Sequence, residues 1–186
     1  MKKSALALIP LLAAAPLCSA SALGSFGARA GYGLHFSDPE VKGAEEPTSF
    51  VGGAAWKLDV LVAAIEVDLL YRRAAQEIEG KNTKVNEDRF SLGALGRFSI
   101  PIVPLFFSLD LVGGLEPRFF VTGTKGVEDD AKAMTLYLPV GVGASLDLQL
   151  IDLNLDMRYE RQLTPSSKAN EDARSHNLTF LAGVFF

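Results

Sequence analysis

Along most of this chain apolar and polar side chains alternate with a period of two, and the apolar set carries no charge. Successive side chains of a strand point to opposite faces, so the pattern predicts strands with one apolar and one polar face. Segment 26–36 sets Phe26, Ala28, Ala30, Tyr32, Leu34 and Phe36 against Gly27, Arg29, Gly31, Gly33 and His35. Segments 50–60, 64–73, 89–98, 105–121, 134–148, 152–160 and 174–186 read the same way, which makes eight in all. Arg29, Glu66, Asp68, Arg72, Arg97, Asp110, Glu116, Arg118, Asp156 and Arg158 all fall on the polar faces.

No segment beyond the N-terminal region offers 18 uncharged apolar residues in a row. The best run, 98–109, is 12 residues long and contains Pro101 and Pro104. A spanning helix needs about 20 such residues. Eight strands can cross a bilayer only as a closed barrel, which leaves no backbone N–H or C=O unpaired in lipid. An Arg or Lys on the lipid face at mid-membrane costs roughly 2–4 kcal/mol, which accounts for the uncharged faces. The predicted fold is all-β: a closed antiparallel transmembrane β-barrel of eight strands in an up-and-down meander. The connections fit, with polar stretches at 37–48, 77–88, 123–133 and 164–173 alternating with short ones near 60–63, 100–103 and 149–151. That topology puts long loops outside and both termini in the periplasm. Phe36, Phe50, Tyr71, Phe90, Phe119 and Tyr159 form one predicted interfacial girdle, and Phe26, Phe98, Phe107 and Phe186 the other.

The N-terminus reads as an export signal, with Lys2 and Lys3, an apolar region from Ala5 to Leu17, and small residues from Ser19 to Ala22. Cleavage is expected after Ala20 or Ala22, giving a signal peptide over 1–22 and a barrel domain over 23–186. The only cysteine, Cys18, lies inside the signal, and Leu17 before it disfavours lipidation. Removing Lys2 and Lys3 leaves 16 basic against 22 acidic residues. There is no basic excess for nucleic acid.

The C-terminal run Leu178-Thr179-Phe180-Leu181-Ala182-Gly183-Val184-Phe185-Phe186 resembles the final-strand signal of outer-membrane barrels. The opening Gly27-Ala28-Arg29-Ala30-Gly31-Tyr32-Gly33 and the turn Pro101-Ile102-Val103-Pro104 are similar to small barrels of the OmpA, OmpX and OmpW type. The resemblance implies residence in the outer membrane. It also implies recognition of Phe180, Val184 and Phe186 by the barrel-assembly machinery.

An eight-stranded barrel has an interior that side chains fill, so a general porin is excluded. The inward charges are expected to plug it. Inward glycines (Gly31, Gly33, Gly93, Gly114, Gly141, Gly143) leave room for arginine, serve curvature, or leave a narrow polar path. The leading expectation is a structural or interaction barrel displaying acidic loops, among them Glu128-Asp129-Asp130. The alternatives are a narrow pore or path for small ions or hydrophobic molecules, and a lipid-modifying enzyme. An enzyme is not expected. Only His35 and His176 could serve as a base; Ser175 falls on the opposite face from His176, and Ser37 shares the face of His35. No cofactor and no metal is expected. The expected partners are outer-membrane lipid and lipopolysaccharide, and the expected state is a monomer. A soluble periplasmic barrel or sandwich is the competing fold, and it would turn the apolar faces inward.

Overall fold

The computed structural model describes residues 24–38, 48–60, 63–78, 83–104, 106–123, 132–165 and 174–186. The expected signal peptide with Cys18, and most loop acids, lie outside the described residues. The strands are β1 (Ser25–Asp38), β2 (Thr48–Val60), β3 (Ala63–Ile78), β4 (Thr83–Val103), β5 (Phe107–Gly123), β6 (Met134–Asp147), β7 (Asp152–Gln162) and β8 (Arg174–Phe185). Each pairs antiparallel with its sequence neighbour, and β1 closes the barrel on β8 from Gly27↔Phe185 to Asp38↔Arg174. Phe26 and Phe186 exchange two further backbone hydrogen bonds at the seam, 3.2 and 2.9 Å long.

The faces sort as the alternation predicts. On β7, Leu153, Leu155, Met157 and Tyr159 are exposed, and Asn154, Asp156, Arg158 and Glu160 are buried. Exposed large apolar side chains far outnumber buried ones, and the buried set is dominated by charged and polar groups. That inversion excludes the soluble alternative, whose apolar side chains would fill the interior.

Two strand limits differ from the sequence reading. Residues 77–78 and 83–88 are strand and not loop: β3 and β4 stay paired from Arg73↔Asp88 to Ile78↔Thr83. Beyond a membrane both faces of a hairpin meet water, so the alternation that reveals a strand disappears while the ladder continues. Likewise 100–103 belongs to β4, with Ile100↔Leu109 and Pro101↔Ser108 in register. The turn lies beyond it, closed by Phe106 N–H donating to Val103 C=O over 3.1 Å. Pro101 is accommodated beside a register shift at Pro101/Val103, where a missing N–H costs little.

Pro117 and Pro139 also stand within the wall. The β4–β5 pairing skips Leu92 and Gly93 opposite Glu116 and Pro117, and the β5–β6 pairing skips Gly114 and Leu115 opposite Leu138 and Pro139. Proline has no N–H to give to the ladder.

The turn between β6 and β7 is held by Leu148 N–H donating to Ile151 C=O, 2.9 Å. Gln149 takes a φ of 70° there, at the first central position, where a type II′ hairpin turn favours glycine. Gln149→Gly should therefore stabilise the barrel by about 1 kcal/mol. The midpoint of urea unfolding in lipid vesicles checks it, and an unchanged or lower midpoint would show that the turn carries no strain.

Candidate functional site: a charge-filled lumen

Period-two geometry sends the inward residues of all eight strands towards one axis. In so narrow a barrel, side chains from opposite walls meet. The charged ones sort into layers.

The middle layer joins Arg29 of β1, Glu66 and Asp68 of β3, Arg97 of β4, Asp110 of β5, and Asp156 and Arg158 of β7. Arg29 donates to Glu66 and to Asp156, each over 2.7 Å. Arg97 donates to Asp110 and Asp156 at 2.8 Å and to Glu66 at 3.1 Å. Arg158 donates to Asp68 at 2.7 Å and to Glu66 and Asp156 at 2.8 Å. Every one of these side chains is at most 1% exposed. Three guanidiniums thus face four carboxylates. The fork of arginine suits such bridging, because its several donors lie in one plane.

The layer towards the long-loop end holds Arg72, Glu116, Arg118 and Glu160. Arg72 donates to Glu160 at 2.8 Å and Glu116 at 3.0 Å, and Arg118 to Glu116 at 2.7 Å and also to Glu160. Two cations meet two anions here. Arg118 stacks 3.7 Å above the Tyr137 ring, a cation–π contact that also fixes its plane. The Asn177 amide fits with its oxygen accepting from Arg118 at 2.7 Å and its nitrogen donating to His35 Nδ1 at 2.6 Å. Towards the other mouth Lys57 pairs with Asp152 and lies 5.3 Å from the centre of the Phe185 ring. Asn154 donates to Asp152 at 2.8 Å and to Ser145 at 3.0 Å, and Ser145 donates to Asp110. These contacts link the middle layer to that mouth.

All ten lumen charges named from the sequence are brought into this network. Glu160, Tyr137, Asn177 and Lys57 complete it and were not among those ten. Their parity was readable, since Glu160 stands two positions from Arg158 and Tyr137 two from Thr135. Gly143 and Gly183 make room for arginine. A Cβ at Gly143 would lie 3.2 Å from Arg97 Nη1 and collide with Asp156, and one at Gly183 would lie 3.1 Å from Arg29 Cγ. Gly31, Gly114 and Gly141 instead permit close strand approach, since a Cβ there would press on the neighbouring backbone.

Of the serine–histidine pairs, Ser175 turns inward to Gln162 and Tyr137, and His176 turns outward to Tyr159. His35 points inward, and the side chain of Ser37 lies outside the described residues. Phe180 and Phe186 are exposed on the outer face of β8 with Val184 between them. Among the described residues no group of three or more His, Cys, Asp or Glu is placed to hold a metal ion.

No family model and no curated protein matches the chain. Solved structures do. Neisserial surface protein A (NspA) superposes with a TM-score of 0.59 at 15% identity, covering 87% of this chain and 96% of its own. Ail, the attachment invasion locus protein of Yersinia pestis, solved with the heparin analogue sucrose octasulfate, gives 0.48 at 15% identity over 88% of this chain and 99% of its own. The outer-membrane enzyme PagL gives 0.48 at 8% identity, covering 83% and 97%. The first of these likenesses, with the closed eight-strand meander, gives the chain the fold of the small outer-membrane β-barrels.

Proposed function

We propose that the protein is an integral outer-membrane barrel with a plugged lumen, acting through its surface and its loops rather than as a channel. The supporting observation is the filled middle layer, where three arginines on β1, β4 and β7 bridge four carboxylates on β3, β5 and β7, all buried. The exposed apolar belt supports the membrane assignment. Export through the N-terminal signal, insertion by the assembly machinery through Phe180, Val184 and Phe186, a monomeric state and the absence of catalysis belong to the same reading.

Planar-bilayer recording tests it. Protein extracted from outer membranes, with a gel mobility that changes on boiling, should give no stable conductance steps. Steady small steps from folded protein would replace this reading with that of a narrow pore.

A further inference from the structure

The outer face of the barrel is apolar except at its long-loop rim, and the described charges there are not equally compensated. Arg73 on β3 lies 3.8 Å from Asp88 on β4. Arg161 on β7 also faces outward and is exposed, yet among the described residues no carboxylate pairs with it. Directly opposite Arg161 in the β7–β8 ladder is His176. The ring of His176 stacks on Tyr159 at 5.7 Å between centroids and 16° between planes. The Tyr159 hydroxyl lies 2.6 Å from Nδ1. In the tautomer where the hydroxyl donates, Nε2 carries the proton and is a donor beside the Arg161 guanidinium. Side chains directly opposite across two strands have Cβ atoms about 5 Å apart, so one anionic group can accept from both.

Below this pair on the same face runs a row of three alanines with Leu155 among them. Ala30 pairs with Ala182, Ala182 with Leu155, and Leu155 with Ala144. They line an apolar concavity of about 850 Å³. Six residues of β7 separate Leu155 from Arg161, about 20 Å along the strand. At a tilt of ~40° that is a depth of about 15 Å, half of the ~30 Å hydrocarbon core. A donor pair at the interface and a groove one leaflet deeper match the two ends of one lipid.

We propose that Arg161 and His176 bind the phosphate of an outer-leaflet lipid whose acyl chain lies in the groove at Ala30, Ala182 and Ala144. The site rests on the membrane reading above, because only that reading puts this face in lipid. Tyr159 is a positioning residue that holds the imidazole.

Native mass spectrometry of the full chain extracted from outer membranes tests the site. The probes are bis-phosphorylated lipid A, the same lipid without phosphates, and inorganic phosphate. The unaltered protein should retain one phosphorylated lipid and bind the dephosphorylated form about tenfold more weakly, the factor expected for one charge-assisted hydrogen bond. Arg161→Gln should lose the same factor for the phosphorylated lipid, and Arg73→Gln should lose none. Equal binding by Arg161→Gln, or an equal loss in Arg73→Gln, would overturn the site. Displacement of the lipid by an equal concentration of inorganic phosphate would overturn the lipid as its ligand. Each sample is first checked for heat-modifiable mobility, so a failure of the membrane reading would show as an unfolded or detergent-free soluble chain and not as altered binding.

Discussion

Replacing Arg158 by alanine should destabilise the barrel by about 3–5 kcal/mol, the cost of leaving buried partners of a lost charge uncompensated. Arg158 touches Glu66, Asp68 and Asp156 together, and none of the four is more than 1% exposed. Its loss leaves two guanidiniums facing four carboxylates in the middle layer. Asp68 loses its 2.7 Å contact and keeps only Arg29, 3.6 Å away. Urea unfolding in phosphatidylcholine vesicles, followed by the single tryptophan Trp56, gives the midpoint and slope. Two companions define the cause. Arg158→Met with Asp68→Asn removes one charge of each sign and should recover part of the loss, since a pair removed together leaves fewer groups stranded. Arg73→Ala breaks the rim contact with Asp88, where Arg73 is 56% exposed, and should stay within about 1 kcal/mol of the parent. If Arg158→Ala unfolds at the parent midpoint, the middle layer contributes no stability that depends on its charge balance.

The face of each strand was legible because lipid excludes charge. Once Arg158 and Asp156 are placed in a strand, Tyr159 and Met157 have only one face left. Strand ends were less legible. From Arg73↔Asp88 to Ile78↔Thr83 the hairpin has no apolar face to announce it, and Pro101 imitates a turn while remaining in register with Ser108. The membership of the lumen was readable by parity, but its pairing was not. Arg29 reaches Asp156 across 127 residues of sequence, and closure and tilt decide which layers coincide. Gly183 illustrates the same limit. Nothing in the last strand itself marks its role, and only the closed barrel brings the Arg29 side chain over it.

Opening the lumen should require breaching both charged layers, because they stand in series along one axis. Arg97→Ala with Asp156→Ala removes a bridging cation and anion from the middle layer. The layer of Arg72, Glu116, Arg118 and Glu160 would still close the passage. Arg118→Ala with Glu160→Ala takes a cation and an anion from that layer but leaves the middle one intact. Neither pair alone should yield stable steps in a planar bilayer, and the four substitutions together should. Each pair preserves charge balance, so the folding cost should stay well below that of orphaning one partner, and heat-modifiable mobility reports whether the barrel forms. The opened passage keeps Arg29, Arg158 and Arg72 facing Glu66, Asp68, Asp110 and Glu116. That is one excess negative charge, so the reversal potential in a potassium chloride gradient should show cation preference. Conductance from either pair alone would mean that the layers do not act in series. A folded fourfold variant that stays silent would move the barrier to the Lys57–Asp152 mouth or to the loops.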